Sequence, residues 1–189
     1  MRSGMSEWWC ERMDDHVTQT RNLVASGATA NDVRAWLAGN EVVRVRRGAY
    51  RPAGVLSAEA EHRLLIGATL PLLTPGAVVS HASAAVMHGV PVPRTLLGRV
   101  HITRDRRGGR RTRYLHDRGQ PLPESHVEVH AVATVTSLRR TAIDLARTLP
   151  FDWGLAAVDH VLTRGVRVEE LEGMLAELPR AVGNPQAQA

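Results

Sequence analysis

The sequence predicts a mixed α+β (α/β) chain in two domains. A small helical domain with a basic hairpin spans 1–54, a larger α+β domain spans 55–178, and 179–189 form a tail without pattern. Three observations predict this. A length of 189 residues suits one small domain and one of ordinary size. Pro52-Ala53-Gly54 breaks the pattern as a linker does. Before it, helical spacing gives way to a short run of alternating Val and Arg; after it, helices and short apolar strands intermingle.

Taken in order, residues 1–5 form a loose terminus, and Ser6–Met13, with Trp8 and Trp9, a short helix. From Asp15 to Ser26 the spacing is helical, with Val17, Thr20 and Val24 on one face, and Gly27 ends the helix. The next helix runs from about Ala30 to Ala38, with Thr29 as its N-cap and Asp32 as the acidic partner of its first turn. At about 100° per residue, Ala30, Val33, Trp36 and Leu37 share the inner face, while Asn31, Arg34, Ala35 and Ala38 point away. Gly39-Asn40 closes it. In EVVRVRRGAYRP, Val43, Val45 and Ala49 punctuate Arg44, Arg46, Arg47 and Arg51, with Gly48 where a tight turn needs positive φ. Helix, glycine turn, helix and basic hairpin, in that order, make a winged helix-turn-helix.

The larger domain opens with a helix capped by Ser57 and running to about Leu70. A buried strand at Ala77–Ser80 and a helix at His81–His88, ended by Gly89, follow. Three strands are expected at Arg99–Thr103, Arg113–His116 and His126–Val132, the first two joined by a hairpin loop whose tip is Gly108-Gly109. Ser137 caps a helix to about Thr148, with Leu138, Ala142, Leu145 and Leu149 on one face. Helices at Phe151–Thr163 and about Val168–Leu178 complete the domain.

Composition narrows the function. The lone Cys10 excludes an internal disulfide and fits a reducing compartment. No apolar run approaches the roughly 20 residues of a membrane span, and the first 15 residues lack the apolar core of a signal peptide, so a cytoplasmic protein with no membrane partner is expected. All 24 basic residues are Arg, and charge is unevenly spread: residues 99–118 hold 8 Arg against 2 acids, whereas 119–189 hold 6 Arg against 9 acids. A concentrated positive field suits a polyanion.

The residues that bear on DNA follow. Asn31 can pair bidentately with adenine and Arg34 with guanine, and Thr29 and Ala35 lie on the same approach to a groove. Arg44, Arg46, Arg47 and Arg51 are placed to reach phosphates or the minor groove, with Tyr50 in the core. Arg104, Arg106, Arg107, Arg110, Arg111 and Arg113 form a second candidate contact, for DNA, RNA or an acidic protein surface. If that loop and the wing neutralise about six phosphates, log K falls against log salt with a slope near about −5.

An enzyme is the competing reading. His81 and His88 lie two helical turns apart, and His126 and His130 share a strand face, as a metal or acid–base site would require. Against it, the chain has no closely spaced carboxylates for a two-metal nuclease, no Cys/His ligand run and no HExxH, so no catalytic residue, cofactor or metal is assigned.

Residues 42–50 (VVRVRRGAY), 78–89 (VVSHASAAVMHG), 100–103 (VHIT) and 134–146 (TVTSLRRTAIDLA), then AAVDHVLTRG, resemble in order and spacing the AbiEi family of antitoxins and transcriptional regulators, over roughly residues 15–175. The resemblance implies a winged-helix DNA-binding domain and an antitoxin domain in a repressor of its own operon. The implied partners are double-stranded operator DNA, inverted repeats included, and a nucleotidyltransferase-like toxin countered without a stable complex. Long relatives add an endonuclease-like domain after this region, and the resemblance implies a short form without it. A stand-alone phage or host defence repressor is the alternative. The resemblance makes His81 part of a structural serine–histidine motif and places Asp144 and Asp159 at motif positions, Asp144 as a helix-surface partner of Arg140.

Overall fold

The computed structural model describes residues 17–130 and 133–179. The helix expected at Ser6–Met13 and the tail beyond Pro179 lie outside them. The chain forms a mixed α+β structure of two compact units that divide between Leu72 and Leu73, against a sequence-based boundary at residue 54.

In the first unit the elements are β1 (Thr18–Gln19), α1 (Thr20–Ala25), α2 (Ala30–Ala38), β2 (Val42–Arg46), β3 (Ala49–Pro52) and α3 (Ala58–Thr69), with a 3-10 turn at Leu70–Leu72. The strands form an antiparallel sheet in the order β1-β3-β2. The helix expected from Asp15 is shorter because Thr18 and Gln19 are extended, pairing with Tyr50 and Ala49. Helix α1 therefore starts in a different phase. It buries Leu23, at 1% exposure, and turns Val24 outward at 61%.

Leu23, Val42 and Tyr50 form the core of this unit, and Ala28, Val33, Trp36 and Leu37 pack on it. The inner face expected for α2 is thus the packed one, except that Ala30 is exposed. Helix α3 belongs here through three ties: Gln19 Nε2 donates to the Ala68 carbonyl (3.1 Å), Arg46 Nη1 to Thr69 Oγ1 (3.0 Å), and Arg51 pairs with Glu61 (3.0 Å).

The second unit contains β4 (Val78–Val79), α4 (His81–His88), β5 (Val100–Arg104), β6 (Gly109–Arg111), β7 (Leu115–Gly119), β8 (Val127–His130), β9 (Ala133–Thr136), α5 (Leu138–Thr148), α6 (Phe151–Leu162) and α7 (Val168–Glu177). Its six-stranded mixed sheet has the order β6-β7-β5-β4-β9-β8. Helix α5 packs against α4, α6 and α7, which explains why Arg140 through Ala146 are all buried. No helix among the described residues is long and apolar enough to cross a membrane.

Two expectations about this sheet need correction. β5 and β7 are parallel rather than the two arms of a hairpin, and the extra strand β6 pairs antiparallel with the far edge of β7. The chain therefore crosses the end of β7 at residues 105–108. It passes so close that a Cβ on Gly119 would lie 2.0 Å from the Gly108 carbonyl oxygen and 2.6 Å from that of Arg106. The last apolar stretch, expected as one strand, is two: β8 and β9 pair antiparallel. His126 ends a 3-10 turn (Glu124–His126) ahead of β8 instead of sharing its face with His130.

Candidate nucleic-acid interface

Helix α2 is held at its start by a reciprocal cap. Asp32 N donates to Thr29 Oγ1 (3.2 Å), and Thr29 N donates to Asp32 Oδ2 (2.8 Å). Hydrogen bonds from the Thr29 hydroxyl and backbone hold the Asp32 carboxyl below its ordinary range. With its start fixed and its apolar face packed, α2 presents Asn31, Arg34, Ala35 and Ala38 to solvent. Arg34 Nη1 donates to Asn31 Oδ1, so the two base-reading candidates form one joined polar unit on adjacent turns. Thr29 is exposed beside them, with its hydroxyl and backbone N–H engaged in the cap.

The hairpin turns at Gly48, whose φ of +80° suits glycine. Its arginines have different roles. Arg47 is exposed at the turn, and Arg44 is exposed with its guanidinium 5.8 Å from the Tyr50 ring centroid. Arg46 is half-buried on Thr69. Arg51 leaves the set of DNA contacts. It is buried at 7% exposure, donates to the Pro52 and Gly54 carbonyls (2.9 and 3.0 Å) and pairs with Glu61, so its charge is spent joining β3 to α3.

The arginine-rich segment of the second unit divides similarly. Arg104 Nε and Arg106 Nη2 converge on Asp117 Oδ2 at 3.4 and 2.6 Å, and Arg104 Nη1 also donates to the Thr74 and Pro75 carbonyls. These contacts pin the crossing loop to β7 and remove Arg104 from the candidate contact. Arg107, Arg110, Arg111 and Arg113 are exposed, the last with its guanidinium 5.2 Å from the Tyr114 ring centroid. Asp117, the anchor, was missed in the sequence because it is an isolated acid within a basic run.

No family model matches the chain, and no curated protein matches it.

The histidines group differently from their sequence pairs. His81 neighbours His101 (centroids 6.5 Å apart), which neighbours the half-exposed His116 (5.3 Å). Arg118 Nη1 lies 3.0 Å from His101 Nδ1. An arginine can only donate, so His101 accepts at Nδ1 and its Nε2 donates to the Leu96 carbonyl (3.2 Å). Burial, with Arg118 next, lowers His101 to about 2, and the same two causes lower His116 to about 4. Burial also holds His81 well below the ordinary histidine range.

His81 lies 3.6 Å from Asp144, whose Oδ1 accepts from Arg140 Nε at 3.0 Å. The Arg140–Asp144 pair matches the expected spacing, but it is internal rather than on a helix surface, at 0% and 2% side-chain exposure. His126 extends the network, bridging Arg140 Nη1 (2.9 Å) and Glu177 (3.0 Å). His81 has a φ of +50°, rare for a residue with a Cβ.

Proposed function

We propose that this chain is a sequence-specific DNA-binding transcriptional repressor whose first unit acts as a winged helix-turn-helix. The observation that carries the reading is the two-faced construction of α2. One face packs on Leu23, Val42 and Tyr50, while the other offers Asn31 and Arg34 between small alanines. A helix docked in a major groove needs a rigid inner face, and short side chains around its base-reading residues allow close approach. Arg34 would read guanine and Asn31 adenine, while Arg44 and Arg47 on the β2–β3 wing neutralise phosphates without reading sequence.

The motif resemblance extends this to an AbiEi-like, autoregulating type IV antitoxin in the cytoplasm, facing a nucleotidyltransferase-like toxin without a stable complex. A stand-alone phage or host defence repressor is the alternative. Electrophoretic shifts with the DNA upstream of its own gene test the reading. Arg34→Ala should weaken specific binding by about 1–3 kcal/mol and change random-sequence binding far less. Equal affinity of the unaltered protein for upstream and random DNA would sink it.

One observation favours a second reading, an enzyme that processes nucleic acid: His81 combines a left-handed backbone with an adjacent buried carboxylate, an arrangement seen at strained functional sites. Its 3% exposure argues against contact with a macromolecular substrate. Turnover of plasmid, RNA or nucleotides in Mg²⁺ or Zn²⁺, abolished by His81→Ala, would replace the first reading with this one.

A further inference from the structure

His88, Glu128 and His130 are far apart in sequence in two groups, yet one potential ligand atom of each lies within 4.8 Å of the others. Strand alternation puts Glu128 and His130 on one face of β8, an edge strand of the six-stranded sheet. His88 is the last residue of α4, and its ring meets that of His130 edge-on, with centroids 5.1 Å apart at 83°. Glu128 Oε2 lies 4.0 Å from His130 Nε2, at the outer limit of an ion pair.

The decisive detail is behind His88. Its Nε2 lies 2.7 Å from the Thr136 carbonyl oxygen. A carbonyl only accepts, so Nε2 carries the hydrogen and the lone pair of the neutral ring is on Nδ1, for which the described residues supply no hydrogen bond. A backbone carbonyl that fixes the tautomer and aims the other nitrogen is the usual support of a metal-binding histidine. We infer that His88, Glu128 and His130 form a three-ligand site for a zinc-class divalent cation, with the fourth position open to water or another ligand.

Two imidazoles and a carboxylate are borderline ligands that suit Zn²⁺ or Co²⁺ better than Ca²⁺ or Mg²⁺. Tetrahedral bonds of about 2.0–2.2 Å bring ligand atoms to about 3.4 Å from one another. Side-chain rotation of Glu128 and His130, 46% and 33% exposed, would supply that closure while His88 stays fixed, at the expense of the Glu128 Oε1 contact with Leu138 N at 3.4 Å. Arg164, whose Nη1 donates to the His88 carbonyl at 2.6 Å, opposes a cation here and makes the site weaker than an all-thiolate one. A bound ion would fasten the edge strand β8 to the end of α4.

The test uses the untagged full chain, titrated with Zn²⁺ against a chromogenic chelator and with Co²⁺ by visible absorption. One ion per chain is expected, with affinity at least about tenfold weaker in both Glu128→Gln and His130→Ala. Zn²⁺ should raise the thermal midpoint of the unaltered chain but not of Glu128→Gln, a change at an exposed position that leaves every core residue in place. Cys10→Ser and His160→Ala, which alter donors outside the trio, should bind as the unaltered chain does. Unchanged affinity in Glu128→Gln and His130→Ala overturns the inference, as does a cobalt spectrum lost in Cys10→Ser or His160→Ala.

Discussion

The two units divide their arginines differently between interior and surface. In the first, Arg34, Arg44 and Arg47 project from a capped helix and a hairpin, and Arg51 alone is fully internal among the arginines predicted to contact DNA. In the second, Arg140 is completely buried, Arg118 bonds to His101, and Arg104 and Arg106 converge on one carboxylate. An arginine's place in a charge-rich run therefore does not by itself tell whether it reaches the surface. The richest segment, 104–113, commits Arg104 and Arg106 to Asp117 and leaves Arg107, Arg110, Arg111 and Arg113 exposed, while the first unit exposes Arg34, Arg44 and Arg47 and buries Arg51.

Breaking the internal network should give the largest effect. Asp144→Leu leaves Arg140 buried without its carboxylate, and a loss of about 3–5 kcal/mol is expected in urea unfolding. A loss under about 1 kcal/mol would mean that water reaches the pair and that the contrast between the units is overstated.

Next comes the pH dependence of the second unit. His101 and His116 have folded pKa values depressed to about 2 and about 4 from an ordinary 6.5, so below pH 6.5 the unfolded chain binds more protons. Their contribution to stability is complete above pH 6.5 and is lost as pH falls toward about 4 and then about 2. Urea midpoints measured from pH 7 to 4.5 should fall. His101→Gln keeps a donor and an acceptor but cannot titrate, so it should flatten that slope. An unchanged slope would show that His101 charges freely in the folded protein.

In the first unit smaller changes are expected. Thr29→Ala removes the cap of α2 and should cost about 1 kcal/mol, measured by thermal unfolding. Smallest in stability is Arg47→Ala, within about 0.5 kcal/mol, because the residue is exposed at the turn. If the β2–β3 hairpin contacts phosphate, the same change should reduce the salt slope of DNA binding by about 0.9. Such a reduction from Arg51→Met would contradict the internal role given to Arg51.

Local signals were legible where the chemistry is local. Thr29 with Asp32, Ser57 and Ser137 as caps, the positive-φ turns at Gly48 and Gly89, and the packed face of α2 all depend on neighbours within a turn. The strand Thr18–Gln19 was not legible, since only its partner β3 makes it extended. Neither was the parallel pairing of β5 with β7. A glycine-rich basic loop between two apolar runs reads as a hairpin unless one knows that Gly119 lets the chain cross above it.

The same distinction divides the candidate sites. Sequence alone determined that Asn31 and Arg34 lie outward on one helix and that Arg47 sits at a turn, because helical period and glycine geometry follow from the local backbone. Tertiary structure decided that Arg51, Arg104 and Arg140 are internal, that Asp117 is an anchor, and that His88 meets Glu128 and His130. Those outcomes depend on which distant carboxylate, carbonyl or ring occupies the space beside each side chain, and the order of residues along a chain does not encode that neighbour directly.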